Sequence, residues 1–456
     1  MTFNKLGGIY YTETYEITPS DYGGSIPCFI GRTVNPQGLT EAQKTTENGK
    51  RRINKLQKFT NFEQVNRTAL DTSGKMLGLG DYATEGENNP LLKAVHDFCE
   101  ETKLMTEEYV ACPYFYVVDL GTAENISDWI LSIETSKSKR EIDDEIYVGF
   151  EKVIDKVVTE NEQSTTVYAT LENFMLAINY DLVVNRQTVG DFRKAFYTPL
   201  TINATTNKYE KDTYYKENYT TIDAELIRIA KAVTTNNDVG LTNNALDTTI
   251  ATNTIPKSRT YLCEPLNYGK TMGRIITTPY DMEPAYYPYN SLTVEDIILR
   301  KPQEQLQLQL NGVIFNHLEE TSTEEYIKIN RTQAVSSNLV EHPPDSLYQS
   351  RHLCDILLTR VFDACYPQLK NKETETNLEY LKTQINKIVN DAIKDGDFIA
   401  PYTENNTEKG TFLNVQESSE DAYDLEVVGM IQPVNCTYSI HIVAQINSAK
   451  IKVIEE

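Results

Sequence analysis

Histidine, the side chain best suited to move a proton or hold a metal near neutral pH, occurs five times, as His96, His317, His342, His352 and His441. No two stand at i and i+4 and no H-E-x-x-H is present, so no helix offers two imidazoles to one ion. His352 and Cys354 are two apart in a predicted helix and therefore point in different directions. His96 lies beside the apolar stripe of its helix, where a hydrogen-bonded packing role is expected. The seven cysteines (Cys28, Cys99, Cys112, Cys263, Cys354, Cys365, Cys436) are scattered, odd in number and free of C-x-x-C, which predicts reduced thiols rather than a disulfide framework or zinc site. A G-x-S-x-G elbow is missing. Thr72-Ser-Gly-Lys-Met76 has the lysine of a phosphate loop, but the upstream glycine is absent and Met76 stands where a Mg²⁺-binding hydroxyl would be needed. Gly78 and Gly80 follow the lysine and cannot cradle phosphates in that geometry. The acidic clusters Asp143-Asp144-Glu145 and Glu417 to Asp421 lack calcium-loop spacing and read as solvated turns. No catalytic residue, cofactor or metal is predicted, and the protein is expected not to be an enzyme.

Length and charge narrow the classes that remain. At 456 residues the chain exceeds the size at which one core stops growing, so several packed units are expected. The 40% hydrophobic and 24% charged fractions are those of a globular protein. A net charge of -23 repels a phosphate backbone, and the basic cluster Lys50 to Arg52 with Lys55 and Lys58 reads as a solvated loop, so no nucleic-acid partner is expected. No run of 18 apolar residues occurs, and Met1 to Ile9 lacks the pattern of a secretory leader. The expectation is a soluble, unexported chain with no direct membrane insertion.

The periodicity predicts mixed α/β structure. Tyr- and Thr-rich residues 1–20 carry strand formers from Ile9 to Ile17 but little apolar surface, a segment that is frayed or pairs with another sheet edge. Ile26 to Val34 reads as a buried strand, and Asn35 to Lys58 as a polar loop or hairpin. Asn89 to Glu101 places Leu91, Leu92, Val95, Phe98 and Cys99 on one helical stripe, with Asn88 or Asn89 as cap and Pro90 in the first turn. Tyr114 to Leu120 has the continuous apolar run of a strand covered on both faces. Farther on the pattern gives a helix around Trp129, a strand at Glu145 to Phe150, helical spacing over Glu151 to Val158, helices at Thr170 to Asn179 and Asp223 to Val233, and loops at Thr201 to Thr221 and Thr234 to Thr254. In the last third, Ser346 to Phe362 and Thr376 to Lys394 read as helices. The second has a Thr376/Glu379 capping box, a stripe of Leu378, Leu381, Ile385, Ile388, Val389 and Ile393, outward Lys382, Lys387 and Asp391, and Gly396 as stop. Strands at Asp424 to Ile431 and Cys436 to Ile446 close the chain. Both termini are thus strand-like without a partner nearby in sequence.

The order of these features resembles the contractile tail sheath proteins of tailed viruses and related contractile injection particles. Gly8-Ile-Tyr10 stands at the place of the family's N-terminal arm, Phe29-Ile-Gly31 with Thr33 at its first short strand, and Phe62-Glu63 at a characteristic pair. Leu91 to Cys99 and Tyr116-Val-Val118 match its next helix and strand. Phe196-Tyr-Thr-Pro-Leu200, Arg259-Thr-Tyr-Leu262 and Arg274-Ile-Ile-Thr-Thr-Pro279 resemble strands of its middle region. Asp395-Gly396 and Ile431 to Val443 resemble its C-terminal stop and last strand. The family often carries a late W-G-x-R-T-like or V-R-x-T-T-like stretch, for which Ile329-Asn-Arg-Thr332 is the candidate.

The resemblance implies a non-enzymatic subunit that polymerises with itself as six-fold layers of a helical sheath around a tail tube protein, with baseplate and tail terminator proteins as further partners, in a virion tail assembled in the host cytoplasm. It implies a discontinuous inner α/β domain (21–120 with 292–435), an inserted outer α/β domain (121–291), an N-terminal arm (1–20) and a C-terminal arm (436–456). The arms would add strands to neighbouring subunits through Gly8, Ile9, Tyr10 and Tyr11 and through Tyr438, Ile440 and Ile442. Lys382 and Lys387 would face the tube. Competing expectations are another tail protein (tube, baseplate or adhesin) and an α/β enzyme.

Overall fold

The computed structural model describes residues 26–35, 39–50, 53, 57–66, 78–103, 112, 114–122, 194–203, 205–206, 208–235, 260–279, 282–289, 291–320, 324–335, 347–365, 367, 375–417 and 425–434, with the strands at 146–150, 154–160, 163–169, 443–447 and 450–454. Both arm segments, Gly8 to Tyr11 and Tyr438 to Ile442, lie outside the described residues, as do the expected helices around Trp129 and at Thr170 to Asn179, the Thr72 to Met76 loop, His342 and His441.

In chain order the elements are β1 (Pro27–Gly31), α1 (Glu41–Lys50), β2 (Gln57–Phe59), two single helical turns at Phe62–Val65 and Tyr82–Glu85, α2 (Pro90–Lys103), β3 (Phe115–Asp119), β4 (Ile146–Phe150), β5 (Ile154–Glu160), β6 (Gln163–Ala169), β7 (Lys194–Thr198), α3 (Asp212–Glu217), α4 (Tyr219–Thr235) and β8 (Thr260–Cys263). Then come α5 (Tyr268–Thr277), α6 (Pro302–Leu310), β9 (Val313–Ile314), β10 (Asn316–Glu320), β11 (Glu325–Ile329), α7 (Tyr348–Cys365), α8 (Glu375–Lys394), β12 (Tyr402–Glu404), β13 (Thr407–Lys409), β14 (Phe412–Glu417), β15 (Leu425–Met430), β16 (Val443–Asn447) and β17 (Lys450–Ile454).

Seven strands form one sheet in the order β2-β3-β1-β4-β7-β8-β9. All neighbours are parallel except β2, which runs antiparallel to β3 on the edge. Every side chain of β1, β7 and β8 is buried, the condition that selects runs such as Phe29-Ile30 and Tyr261-Leu262 over alternating ones. This sheet crosses the domain boundaries expected at 121 and 292: β4, β7 and β8 lie between them in sequence and fill the places from β1 to β9. A parallel sheet needs long return connections, so strands distant in sequence become neighbours. The β5–β6 hairpin lies in the connection from β4 to β7.

Helix α2 begins as expected, with Asn89 Oδ1 accepting from the Leu92 amide at 3.1 Å and Pro90 at the first position. Its stripe of Leu91, Leu92, Val95 and Phe98 joins Phe29, Phe115, Phe196 and Tyr261 in the main core. Packed on it is α5, where the expected strand at Arg274 to Pro279 is corrected to helix as far as Thr277. Gly269 and Gly273 explain the change, because a side chain at either would meet α2, so the two helices approach with little more than backbone between them. Thr277 and Thr278 hydroxyls then donate to the carbonyls of Gly273 and Arg274 as the helix ends.

Three further expectations are corrected. Residues 35–58, expected as a polar loop or hairpin, contain the exposed helix α1 and the start of strand β2. Thr40 and Gln43 cap α1 reciprocally, the Gln43 amide donating to Thr40 Oγ1 and the Thr40 amide to Gln43 Oε1. The helical spacing over Glu151 to Val158 gives way to β5, whose β-branched residues pair with β6 from Ile154 opposite Ala169 to Glu160 opposite Gln163. The Thr201 to Thr221 loop contains α3 and the start of α4, anchored by buried Tyr215, whose hydroxyl accepts from the Thr201 amide.

The C-terminal helix pair α7 and α8 falls within three residues of the expected bounds. Helix α8 starts at Glu375, one residue before the expected cap, so Thr376 lies inside its first turn. Gly396, at φ 90°, ends it as expected. Beyond β15, which matches the penultimate strand, the chain closes in a β16–β17 hairpin, one strand more than expected. Among the described residues no helix is long and apolar enough to cross a membrane.

Candidate assembly surface

The apolar stripe of α8 decides the form of the C-terminal unit. Leu381, Ile385 and Val389 pack on Leu413 and Val415 of β14 and on Val361 of α7. The other face of α8 carries Glu379, Tyr380, Asn386, Lys387 and Asn390 in solvent, with Lys382 half-buried. Lys382 Nζ reaches Glu379 at 3.2 Å, a surface pair worth little on its own. Lys387 lies on the exposed face, as expected. Tyr380, 54% exposed, is the large apolar group of this face, and a lone tyrosine among polar residues gave no signal in the periodicity.

Strands β14 and β15 pair antiparallel from Phe412 opposite Met430 to Glu417 opposite Leu425. Because successive side chains alternate, Leu413 and Val415 enter the core while Phe412, Asn414 and Gln416 take the other side, opposite Met430, Val428 and Glu426. Val428 and Met430 are exposed. Among the described residues this sheet has two strands. Beside it, the β12–β13 hairpin turns through Asn405 and Asn406, both at positive φ, as a tight two-residue turn requires. A cleft of about 310 Å³ lies between, lined by Pro401, Tyr402, Thr403, Glu408, Phe412 and Asn414.

Charge inside the protein is used to join layers. Arg300 donates to both oxygens of Asp223 at 2.8 Å and its Nη2 lies 2.9 Å from Glu264, tying α4 to β8. Burial pushes the Glu264 carboxyl up, against the pull of Arg300 and the Asn316 amide. Lys93 pairs with Asp97 and lies 3.2 Å from Asp212. Burial alone would raise the Asp97 carboxyl, but Lys93 and His96 hold it below the ordinary value.

Among the described residues the expected chemical candidates form no metal-binding group. His96 has the packing role expected of it, stacked on Tyr82 at 4.1 Å with Nδ1 3.0 Å from Asp97. His317 Nδ1 meets the Lys328 carbonyl at 3.1 Å, and burial lowers its pKa. Among the described residues no three His, Cys, Asp or Glu side chains gather where a metal could bind. Lys58, from the basic cluster, lies over the Tyr114 ring and Lys50 pairs with Glu47.

Solved structures similar to this chain include two sheaths and a sheath tail protein. The anti-feeding prophage helical sheath in its contracted state is 10% identical with a TM-score of 0.47, covering 97% of this chain and 99% of that one. The contracted sheath complex of the extracellular contractile injection system PVC is 10% identical with a TM-score of 0.49, covering 97% and 98%. The sheath tail protein Lin1278 from Listeria innocua is 8% identical with a TM-score of 0.42, covering 92% and 95%. No family model matches the sequence. No curated protein matches it.

Five of the segments on which the sequence resembles the sheath family meet in one place, whereas Asp395-Gly396 follows α8 and Gly8-Ile-Tyr10 lies outside the described residues. Phe29-Ile-Gly31 is β1 and pairs with Tyr116-Val-Val118 of β3, while Phe196-Tyr-Thr198 of β7 pairs with Tyr261-Leu262 of β8. Leu91 to Cys99 lies on the same core as Phe29 and Phe196.

Proposed function

We propose that the chain is the structural and mechanical subunit of a contractile tail sheath, stacking in six-fold helical layers around an inner tube and contracting to drive that tube through a target cell envelope. What supports the reading is that five of the family-like segments, those in β1, β3, β7, β8 and α2, belong to one sheet and one core. The partners are further copies of the chain, the tube protein, and the baseplate and terminator proteins that bound a sheath. The setting is a virion tail or a cellular injection particle.

In this reading the arm residues Gly8, Ile9, Tyr10 and Tyr11, and Tyr438, Ile440 and Ile442, add strands to neighbours. Such strand addition draws its affinity from backbone bonds and its register from alternating side chains. Lys382 and Lys387, with Tyr380, face the tube. The connection from β4 to β7, with its β5–β6 hairpin, supplies the outer insertion. No nucleotide is required: the extended lattice is a trapped state, and contraction rotates subunits as rigid bodies into contacts the extended lattice leaves unmade.

Negative-stain microscopy of the purified chain at micromolar concentration is expected to show hollow cylinders. Deleting Met1 to Ser20 should abolish them while circular dichroism shows a folded monomer. Because copies carrying a charge of -23 must pack side by side, cylinder yield should change between low and high ionic strength. Monodisperse monomers throughout would overturn the reading, and equal yields would overturn the salt argument.

A further inference from the structure

In a chain of net charge -23, copies repel one another over most of their surface, so the faces on which two of them meet most readily are those that carry no charge. Several exposed helix faces fail that condition. Helix α1 pairs Lys44 with Glu41 and Lys50 with Glu47, α4 pairs Arg228 with Glu225, and α8 pairs Lys382 with Glu379. Helix α6 differs. Its nine residues hold one charged side chain, Glu304, and that one turns back to accept from the Lys301 amide at 2.8 Å. Leu308 is buried beneath the helix. Pro302, Leu306 and Leu310, each four apart, form one row along the opposite side, flanked by exposed Gln303 and Gln307. Leu306 is 49% exposed, and Leu299, just before the helix, is exposed as well.

A second face of this kind is the outer side of the β14–β15 pair. Phe412 stands opposite Met430 and Asn414 opposite Val428, and none of the four is charged. The charged position of this side, Glu426, is at the far end opposite Gln416. Val428 and Met430 are exposed, while the inner side of the same strands, Leu413 and Val415, is covered by Leu381, Ile385 and Val389 of α8.

We propose that the row of Pro302, Leu306 and Leu310 on one copy docks against the face formed by Phe412, Asn414, Val428 and Met430 on the next, completing a helix–sheet–helix sandwich whose third layer comes from a neighbour. This contact rests on the sheath reading. A helix laid on an apolar sheet face is one of the few stable layer arrangements, so the two faces suit each other. The pairing is heterologous and repeats head to tail through a lattice of one chain, whereas two α6 rows meeting would close a two-fold dimer. Gln303 and Gln307 both donate and accept, which suits them to a rim beside Asn414. A helix of nine residues is about 13 Å long, too short to bury the roughly 800 Å² per partner of a stable pair. The contact therefore holds as one of many in an assembled lattice and is weak between two free chains.

Photocrosslinking in assembled cylinders tests it. Full-length chain with Leu306 replaced by p-benzoylphenylalanine is assembled with an equal amount of heavy-isotope-labelled parent chain and irradiated. The cross-linked peptides should carry Phe412 to Gln416 or Val427 to Met430 and the heavy label. The reciprocal probe, in place of Val428, should reach peptides carrying Pro302 to Leu310. Leu306→Glu should lower the yield of cylinders about tenfold or more, because it closes an unpaired carboxylate off from water, with circular dichroism unchanged. Tyr286→Glu, at a side chain 65% exposed and outside both faces, should leave the yield unchanged. Cylinders in which both probes cross-link elsewhere, or equal yields for Leu306→Glu and Tyr286→Glu, would overturn the contact and leave the sheath reading standing. A parent chain that forms no cylinders would overturn the sheath reading and the contact with it.

Discussion

Gly269→Ala is expected to destabilise the protein by about 2 kcal/mol, although alanine is the better helix former by about 1 kcal/mol. The reason is the α2–α5 crossing. A Cβ at residue 269 falls 2.2 Å from the Ala94 carbonyl oxygen and 2.9 Å from Asp97 Cβ, so it meets backbone that cannot rotate away. The helices must separate, loosening Met272, Ile275 and Ile276 from the sheet core, and overpacking of this kind typically costs about 1 to 3 kcal/mol or more. Gly273→Ala is the internal control. Its Cβ would come 3.0 Å from Glu101 Cβ, a contact that a small shift relieves, so the propensity gain should nearly cancel the crowding. Urea denaturation of the two variants, followed by circular dichroism, separates them: equal midpoints for Gly269→Ala and the parent would refute a close-packed crossing here.

The same crossing illustrates what was legible in the sequence. Runs that are apolar throughout, such as Phe29-Ile30 and Val117-Val118, announced buried strands because a doubly covered sheet leaves no solvent face to encode. The α2 and α8 stripes were equally plain, since one face of each is core and the other is not. Arg274-Ile-Ile-Thr was expected as strand from the family resemblance, Ile275 and Ile276 satisfy either period in so short a run, and the deciding fact, a neighbour close enough to require glycine at 269, is tertiary. Helix α1 was missed for the opposite reason. It buries no side chain, so it has no apolar period, and its only sequence signal was the Thr40/Gln43 cap.

Domain limits were the least legible feature. The expected insertion at 121 followed from the resemblance, yet β4 pairs directly with β1, Phe29 standing opposite Val148. Nothing local in Ile146 to Phe150 says which strand it will join. Strand pairing in a parallel sheet is fixed by connections dozens of residues long, whose lengths constrain it weakly. The charged groups that tie the layers together were unreadable for a related reason: Lys194 and Asp355, or Arg274 and Glu101, are ordinary surface residues by type.

That last pair carries the other large expected effect. Arg274 and Glu101 side chains are both 0% exposed and meet at 2.5 Å, Glu101 also accepts from the Ser291 hydroxyl, and the guanidinium lies 5.2 Å over the Tyr289 ring. Removing one partner strands the other's charge in the core. Arg274→Met should therefore cost about 3 to 5 kcal/mol, whereas the Arg274→Met/Glu101→Leu double variant, which removes both charges and roughly keeps the volume, should recover most of that loss. What the double variant does not recover belongs to the Ser291 hydroxyl left without its acceptor and to the contact with Tyr289, each worth about 1 kcal/mol. A double-mutant cycle by chemical denaturation reads the coupling directly. If the two single losses simply add in the double variant, the pair contributes no mutual compensation, and the α2–α5 interface is held by its glycines and apolar side chains alone.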